Sequence, residues 1–212
     1  VLSNYGVMTL NGATVDNTFE DNVYERGVYN APAGKFVMNS GSILTSGIGI
    51  NNIGTANTTS APAVKIAGGT IRTKANCIYS PADPGLVYIT GGTINSTSCT
   101  SKATISVYGS INMTGGTGLD QSGVGINLAE SATGTISGGT ITKAQDSDTT
   151  TGTNGWVSGA CFQNSGTGTA SISGSAIIQN NAGNSSNVLY NASTGTIKIT
   201  VVRETRAQEE AR

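Results

Sequence analysis

The chain has no histidine, so it lacks the side chain that most readily moves protons near neutral pH. Charge is scarce as well. Only 11% of its 212 residues are charged, and 11 cations against 12 acids leave a net charge of −1, with a sequence pI of about 5.3. That balance offers no electrostatic footprint for nucleic acid or an anionic membrane surface. Aromatic residues make up 5%. No apolar run approaches the roughly 18–20 residues that a helical membrane span needs, so membrane insertion is not expected. The three cysteines, Cys77, Cys99 and Cys161, form no CxxC and so carry no zinc or redox signature. They read as small buried residues; the alternative is a bridge between Cys77 and Cys99, which are 22 residues apart. An initiator Met and a leader are missing too. The chain opens at Val1 within repeat-like text and reads as a mature or excised piece of a longer protein, so the missing leader does not imply a cytoplasmic address.

What the chain does have is glycine, 30 of them, with many Ser, Thr and Asn, and 36% hydrophobic residues set in ordered alternation rather than scattered as in a disordered chain. The phrase Gly-Gly-Thr-Ile occurs at 68–71, 91–94 and 138–141, each time after a short alternating stretch whose apolar start is missing in the last copy. Degenerate copies extend the series. Anchored on the glycine before Thr-Ile or its equivalent, the repeats fall at Gly12, Gly41, Gly69, Gly92, Gly116, Gly139 and Gly174, separated by 29, 28, 23, 24, 23 and 35 residues. A fixed core with variable insertions is the pattern of stacked units. A second motif, apolar residues followed by a small or polar turn and Gly, recurs between anchors at 27–34, 77–85, 125–134, 160–168 and 188–195.

Segments such as Phe36-Val37-Met38 and Leu86 to Ile89 alternate with period two and are bounded by Gly, Pro, Asn and Ser. No helical period appears before the C-terminus. One coil of about 23 residues in two or three short strands, stacked in parallel, satisfies all of this. The expected fold is all-β: a right-handed parallel β-helix, or β-solenoid, of about seven coils over residues 1–202. Ile71, Ile94 and Ile141 should form one internal ladder, and Ile66, Ile89, Met113 and Ile136 another. The paired glycines supply a sharp corner with φ above zero. Asn and Thr at equivalent corners should stack and bond to backbone groups.

Three stretches depart from the repeat. Residues 13–27 hold the densest acid cluster, Asp16, Glu20, Asp21 and Glu25. Residues 143–159 are an insertion carrying the single tryptophan, Trp156. Residues 203–212 hold six charges in ten and read as a charged tail: a helical cap or the start of a next segment.

The Gly-Gly-Thr-Ile phrases make residues 1 to about 202 resemble the right-handed parallel β-helix class, with a pectin-lyase-like shape. More narrowly, the chain is similar to the Gly-Gly-Thr-Ile repeat regions of bacterial adhesin-like cell-surface proteins. That resemblance implies an extracellular or cell-surface location and a non-catalytic structural or adhesive role, with end-to-end self-assembly as a related property. Its partners would be host or cell-wall glycans, or copies of itself. A glycan-binding module is the alternative. The pectin-lyase-like shape also implies a polysaccharide lyase or hydrolase, or a phage tail-spike-like domain.

The acid inventory speaks against catalysis. Glycoside hydrolysis needs two carboxyls facing one bond, and between 26 and 145 only Asp83, Asp120 and Glu130 occur. Asp83, between two prolines, and Asp120, after a glycine corner, both read as turn residues. Asp16, Glu20 and Asp21, with Glu25, are the candidate Ca²⁺ ligands, against a plain solvated or capping loop; no other cofactor is implied. Trp156 and Tyr24 are the candidate ligand-binding residues, Trp156 as a sugar platform or as a plug over the helix. Tyr29, Tyr79, Tyr108 and Tyr190 fall at similar repeat positions and read as a structural stack. Thr133-Gly134-Thr135, Thr167-Gly168-Thr169 and Thr194-Gly195-Thr196 read as one repeat position, too few and too close to a corner for an ice-binding array.

Overall fold

The computed structural model describes residues 1–18, 25–97, 103–120, 124–143, 160–180, 188–191 and 194–200. These residues form a parallel β-solenoid of about six turns, and no helix occurs among them. Each coil has three faces. The first is an eight-stranded ladder, Leu2–Asn4, Arg26–Asn30, Ile48–Asn52, Ile78–Ser80, Ala103–Val107, Val124–Leu128, Phe162–Asn164 and Leu189–Asn191, every strand parallel to its neighbours. The second face stacks Val7–Leu10, Lys35–Met38, Val64–Ile66 and Leu86–Ile89, and continues upward. The third stacks Thr14–Asn17, Ser42–Thr45, Thr70–Thr73 and Thr93–Ser96. Ser110–Asp120 and Thr133–Lys143 each run through the corner and serve both the second and third faces, with the register shifting near Thr114.

The corners explain why the sequence repeats where it does. All seven anchor glycines adopt positive φ: 82° at Gly12, 98° at Gly41, 85° at Gly69, 84° at Gly92, 85° at Gly116, 84° at Gly139 and 62° at Gly174. Seven corners one turn apart enclose six full turns. Backbone strain is half of the constraint. A Cβ at Gly69 would lie 2.6 Å from the Gly41 carbonyl oxygen of the coil below, and one at Gly116 would lie 2.7 Å from that of Gly91. At Gly12, in the first coil, it would meet nothing within 4 Å.

Inward positions keep one chemistry. Leu10, Met38, Ile66, Ile89, Met113, Ile136 and Ile172 stand in one rank on the second face, all buried. Val15, Ile43, Ile71, Ile94, Gly118, Ile141 and Ile178 form the rank of the third face, so both expected ladders exist, the latter broken once by glycine. Each buried Ile contributes about 1.5–3 kcal/mol. Volume is shared within a coil. The coil of Phe36 places the smaller Val28 on its first face, and the coil of Phe162 places Ala170 on its second.

Where first face meets second, a polar rank replaces the apolar one. Asn4, Asn30, Asn52 and Ser80 occupy successive coils, and each amide donates to the next: Asn4 Nδ2 to Asn30 Oδ1 at 2.7 Å, Asn30 Nδ2 to Asn52 Oδ1 at 2.7 Å, and Asn52 Nδ2 to Ser80 Oγ at 2.9 Å. The rank continues as Val107, Leu128, Asn164 and Asn191. Such an Asn adds a second donor to a corner carbonyl; Gly168 O, for instance, accepts from Asn164 Nδ2 and from Thr196 N, each at 3.0 Å.

Some expected details differ. Residues 13–27 are not irregular throughout: Thr14–Asn17 is an ordinary third-face strand and Arg26 already begins the next first-face strand. Asp120 ends a strand rather than a turn, paired with Ser96 and Lys143. Thr133-Gly134-Thr135 is out of step by two residues, because Thr133 aligns with Thr169 and Thr196, and Gly134 is inward opposite Ala170. The long coil between Gly41 and Gly69 carries a small antiparallel hairpin, Asn57–Thr58 with Ala61–Pro62. Trp156, Cys99 and the 203–212 tail lie outside the described residues.

Candidate functional site

Of the residues singled out from sequence, Tyr24, Glu20, Asp21 and Trp156 lie outside the described residues, and Asp16 and Glu25 lie within them. Asp16 is exposed at the end of a third-face strand. Its Oδ1 accepts from Thr18 N at 3.0 Å and from Thr18 Oγ1 at 2.7 Å, which caps the turn that leaves the strand. Glu25 Oε2 is buried without a hydrogen-bond partner, just before Arg26. Among the described residues, no three acid or thiol groups converge as a metal-binding cluster. Cys77 and Cys161 are buried thiols: Cys77 Sγ lies 3.2 Å from Thr73 Oγ1, and Cys161 Sγ donates to Gln179 O at 3.2 Å.

The tyrosines do not form the expected stack. Tyr29, Tyr79 and Tyr190 share one outward rank on the first face, separated by Asn51 in one interval and by Ser106, Asn127 and Gln163 in the other. Tyr108 sits two residues past that rank and reaches back to Tyr79, the rings meeting edge to face with centroids 6.1 Å apart. Burial raises the Tyr108 phenol above its ordinary value, and the charge and hydrogen bond of Tyr79 and the carboxylate of Glu130 add to the effect. Tyr5 packs on Tyr29 in the same way at 6.4 Å, and the Arg26 guanidinium stands 5.5 Å from the Tyr29 ring centre. The result is two aromatic pairs, one in the first and second coils and one in the fourth and fifth, with the buried Asn51 between them. Higher up the rank Ser106 and Asn127 are buried, with 1% and 0% of their surface exposed.

A groove of about 270 Å³ runs beside the third face. Thr18, Ser46, Lys74 and Thr97 follow one another up one wall, each the residue after a third-face strand; Leu44 and Arg72, adjacent in register, form the other. Thr45 and Thr73 make the floor. Their hydroxyls are already engaged, Thr45 Oγ1 accepting from Gly47 N at 3.1 Å and Thr73 Oγ1 donating to Ala75 O at 2.7 Å. Sequence reading missed this site because its residues belong to different coils and share no motif.

No family model matches the chain, and no curated protein or solved structure is similar to it.

Proposed function

We propose that this chain is a non-catalytic structural and adhesive β-solenoid segment of an extracellular bacterial surface protein. One observation supports the reading: along the second face the inward rank Leu10, Met38, Ile66, Ile89, Met113 and Ile136 keeps one chemistry. The outward rank beside it changes at almost every coil, through Thr9, Val37, Lys65, Tyr88, Asn112 and Thr135. A solenoid holds itself together by nearest-neighbour stacking, which leaves outward positions to serve recognition. Glycans of a host or cell wall fit as partners because the first face offers Tyr29, Tyr79 and Tyr108 as apolar surfaces with polar tips. The test is to incubate the full chain with a panel of host and bacterial-wall polysaccharides, measuring retention and product release together. Retention without new reducing ends or unsaturated products is expected; turnover would overturn the non-catalytic reading.

End-to-end association of copies is a second reading. The large apolar residues most exposed among those described are Val1, Tyr5 and Val7 in the first coil and Ile177, Val188 and Ile199 in the last strands, where each ladder has a neighbour on one side. Association that grows with concentration, followed by size exclusion and microscopy, is the expected result; a monodisperse monomer at high concentration removes this reading.

A further inference from the structure

We infer that the groove beside the third face binds an acidic oligosaccharide, with the anionic group of the sugar on Arg72. The inference rests on the glycan-binding part of the reading above and goes further, to a site and a ligand class. The wall residues Thr18, Ser46, Lys74 and Thr97 come from four successive coils. At about 4.8 Å per coil the groove is about 14 Å long and lies along the stacking axis. An extended, hydroxyl-rich chain therefore fits it better than a compact ligand. In a protein with 11% charged residues, two cations stand here two positions apart. Both are exposed and flank the buried Thr73.

The neighbours of Arg72 in register are Leu44 in the coil below and Asn95 in the coil above, and neither neutralises it. Asp16, one coil beyond Leu44, is the near acid in that rank, and its carboxylate oxygen is turned to the backbone and hydroxyl of Thr18. Among the described residues that line the groove none is acidic, and Arg72 is the cation on which the proposal rests. The guanidinium presents a planar fork suited to the two oxygens of a carboxylate or sulfate. Leu44 offers an apolar patch for the C–H side of a sugar ring. The floor hydroxyls of Thr45 and Thr73 are held by their own turns, so the floor is in place before a ligand arrives.

The test is calorimetry on the full chain with three oligosaccharides of equal length: one carboxylated, one sulfated and one neutral. One or both acidic probes should bind and the neutral one should not; comparing the two acidic arms assigns the anionic group. Affinity should fall as salt rises, because the site is exposed. Arg72→Gln should weaken binding about tenfold, the loss of one charge-assisted pair. Arg72→Glu should abolish it. Both variants should keep the parent melting temperature, since Arg72 is exposed. Equal binding of the neutral probe, no binding of either acidic probe, or unchanged affinity in Arg72→Gln would each overturn the proposal. Polysaccharide retention that survives Arg72→Glu would leave the adhesive reading standing and remove only this groove.

Discussion

Asn30 is the residue on which the architecture can be tested most sharply. It has no exposed surface; its Oδ1 accepts from Asn4 Nδ2 at 2.7 Å, and the two protons of its Nδ2 are shared among three acceptors, Gly34 O, Asn52 Oδ1 and Ala63 O, at 2.7–3.1 Å. Two of those partners are carbonyls of the turns leading into the second-face strands. Asn30→Ala removes these bonds and leaves a void. Other donors remain for some of the partners: Phe36 N still reaches Ala63 O, and Gly54 N still reaches Asn52 Oδ1. The loss should therefore be about 3 kcal/mol, well short of a full desolvation penalty for every partner. With a urea dependence of about 2 kcal/mol per molar, the unfolding midpoint should fall by about 1.5 M. Hydrogen exchange carries the finer prediction. Because each coil touches only its neighbours, Arg26–Asn30, Lys35–Met38 and Ile48–Asn52 should lose protection, and Val124–Leu128 should keep it. A midpoint shift below about 0.25 M, or a uniform loss of protection along the chain, would refute the idea that the Asn rank holds the corner locally.

Gly69→Ala and Gly12→Ala share the strain of positive φ, about 1–2 kcal/mol, but only at Gly69 does the added carbon meet the coil below; chemical denaturation should show Gly69→Ala costing at least about 2 kcal/mol more. Gly118→Ala should stabilise the chain by about 0.7 kcal/mol and raise the melting temperature by about 2 °C, because a Cβ there meets nothing and the unfolded chain loses freedom. For Tyr108 the raised phenol pKa means that the fold favours the neutral form. Its contribution is complete below the unfolded value near 10 and is lost as pH rises through the higher folded value. Ultraviolet titration should show a late-ionising tyrosine, and Tyr79→Phe should bring it down.

The corner glycines were legible because two constraints coincide on them. Gly41, Gly69, Gly92, Gly116, Gly139 and Gly174 must turn with positive φ and must also clear the backbone one coil below, so no other residue type recurs there. The inward ranks were legible for a related reason, since each Ile of the second and third faces stands directly on its counterpart. Legibility fails where a position can change without disturbing a neighbour. Gly134 looks like Gly168 in sequence, yet the corner place belongs to Ala132: a Cβ on Gly168 would fall on the Ala132 carbonyl. The tyrosines mislead in the same way. Tyr108 resembles Tyr79 in local sequence and sits two positions off its rank.

That contrast bears on where recognition can reside. Stacking in register fixes what points inward and leaves what points outward to vary, so a binding surface on such a scaffold is assembled across coils rather than within one. Leu44 and Arg72, or Ser46, Lys74 and Thr97, share a wall because the backbone ladders bring residues 23 to 28 positions apart into adjacent rows. No phrase in the chain announces such a set. The same periodicity that makes the fold readable from one repeat makes the groove readable only after the coils have been placed in register, and Arg72 is the residue whose replacement will show whether that placement carries chemistry.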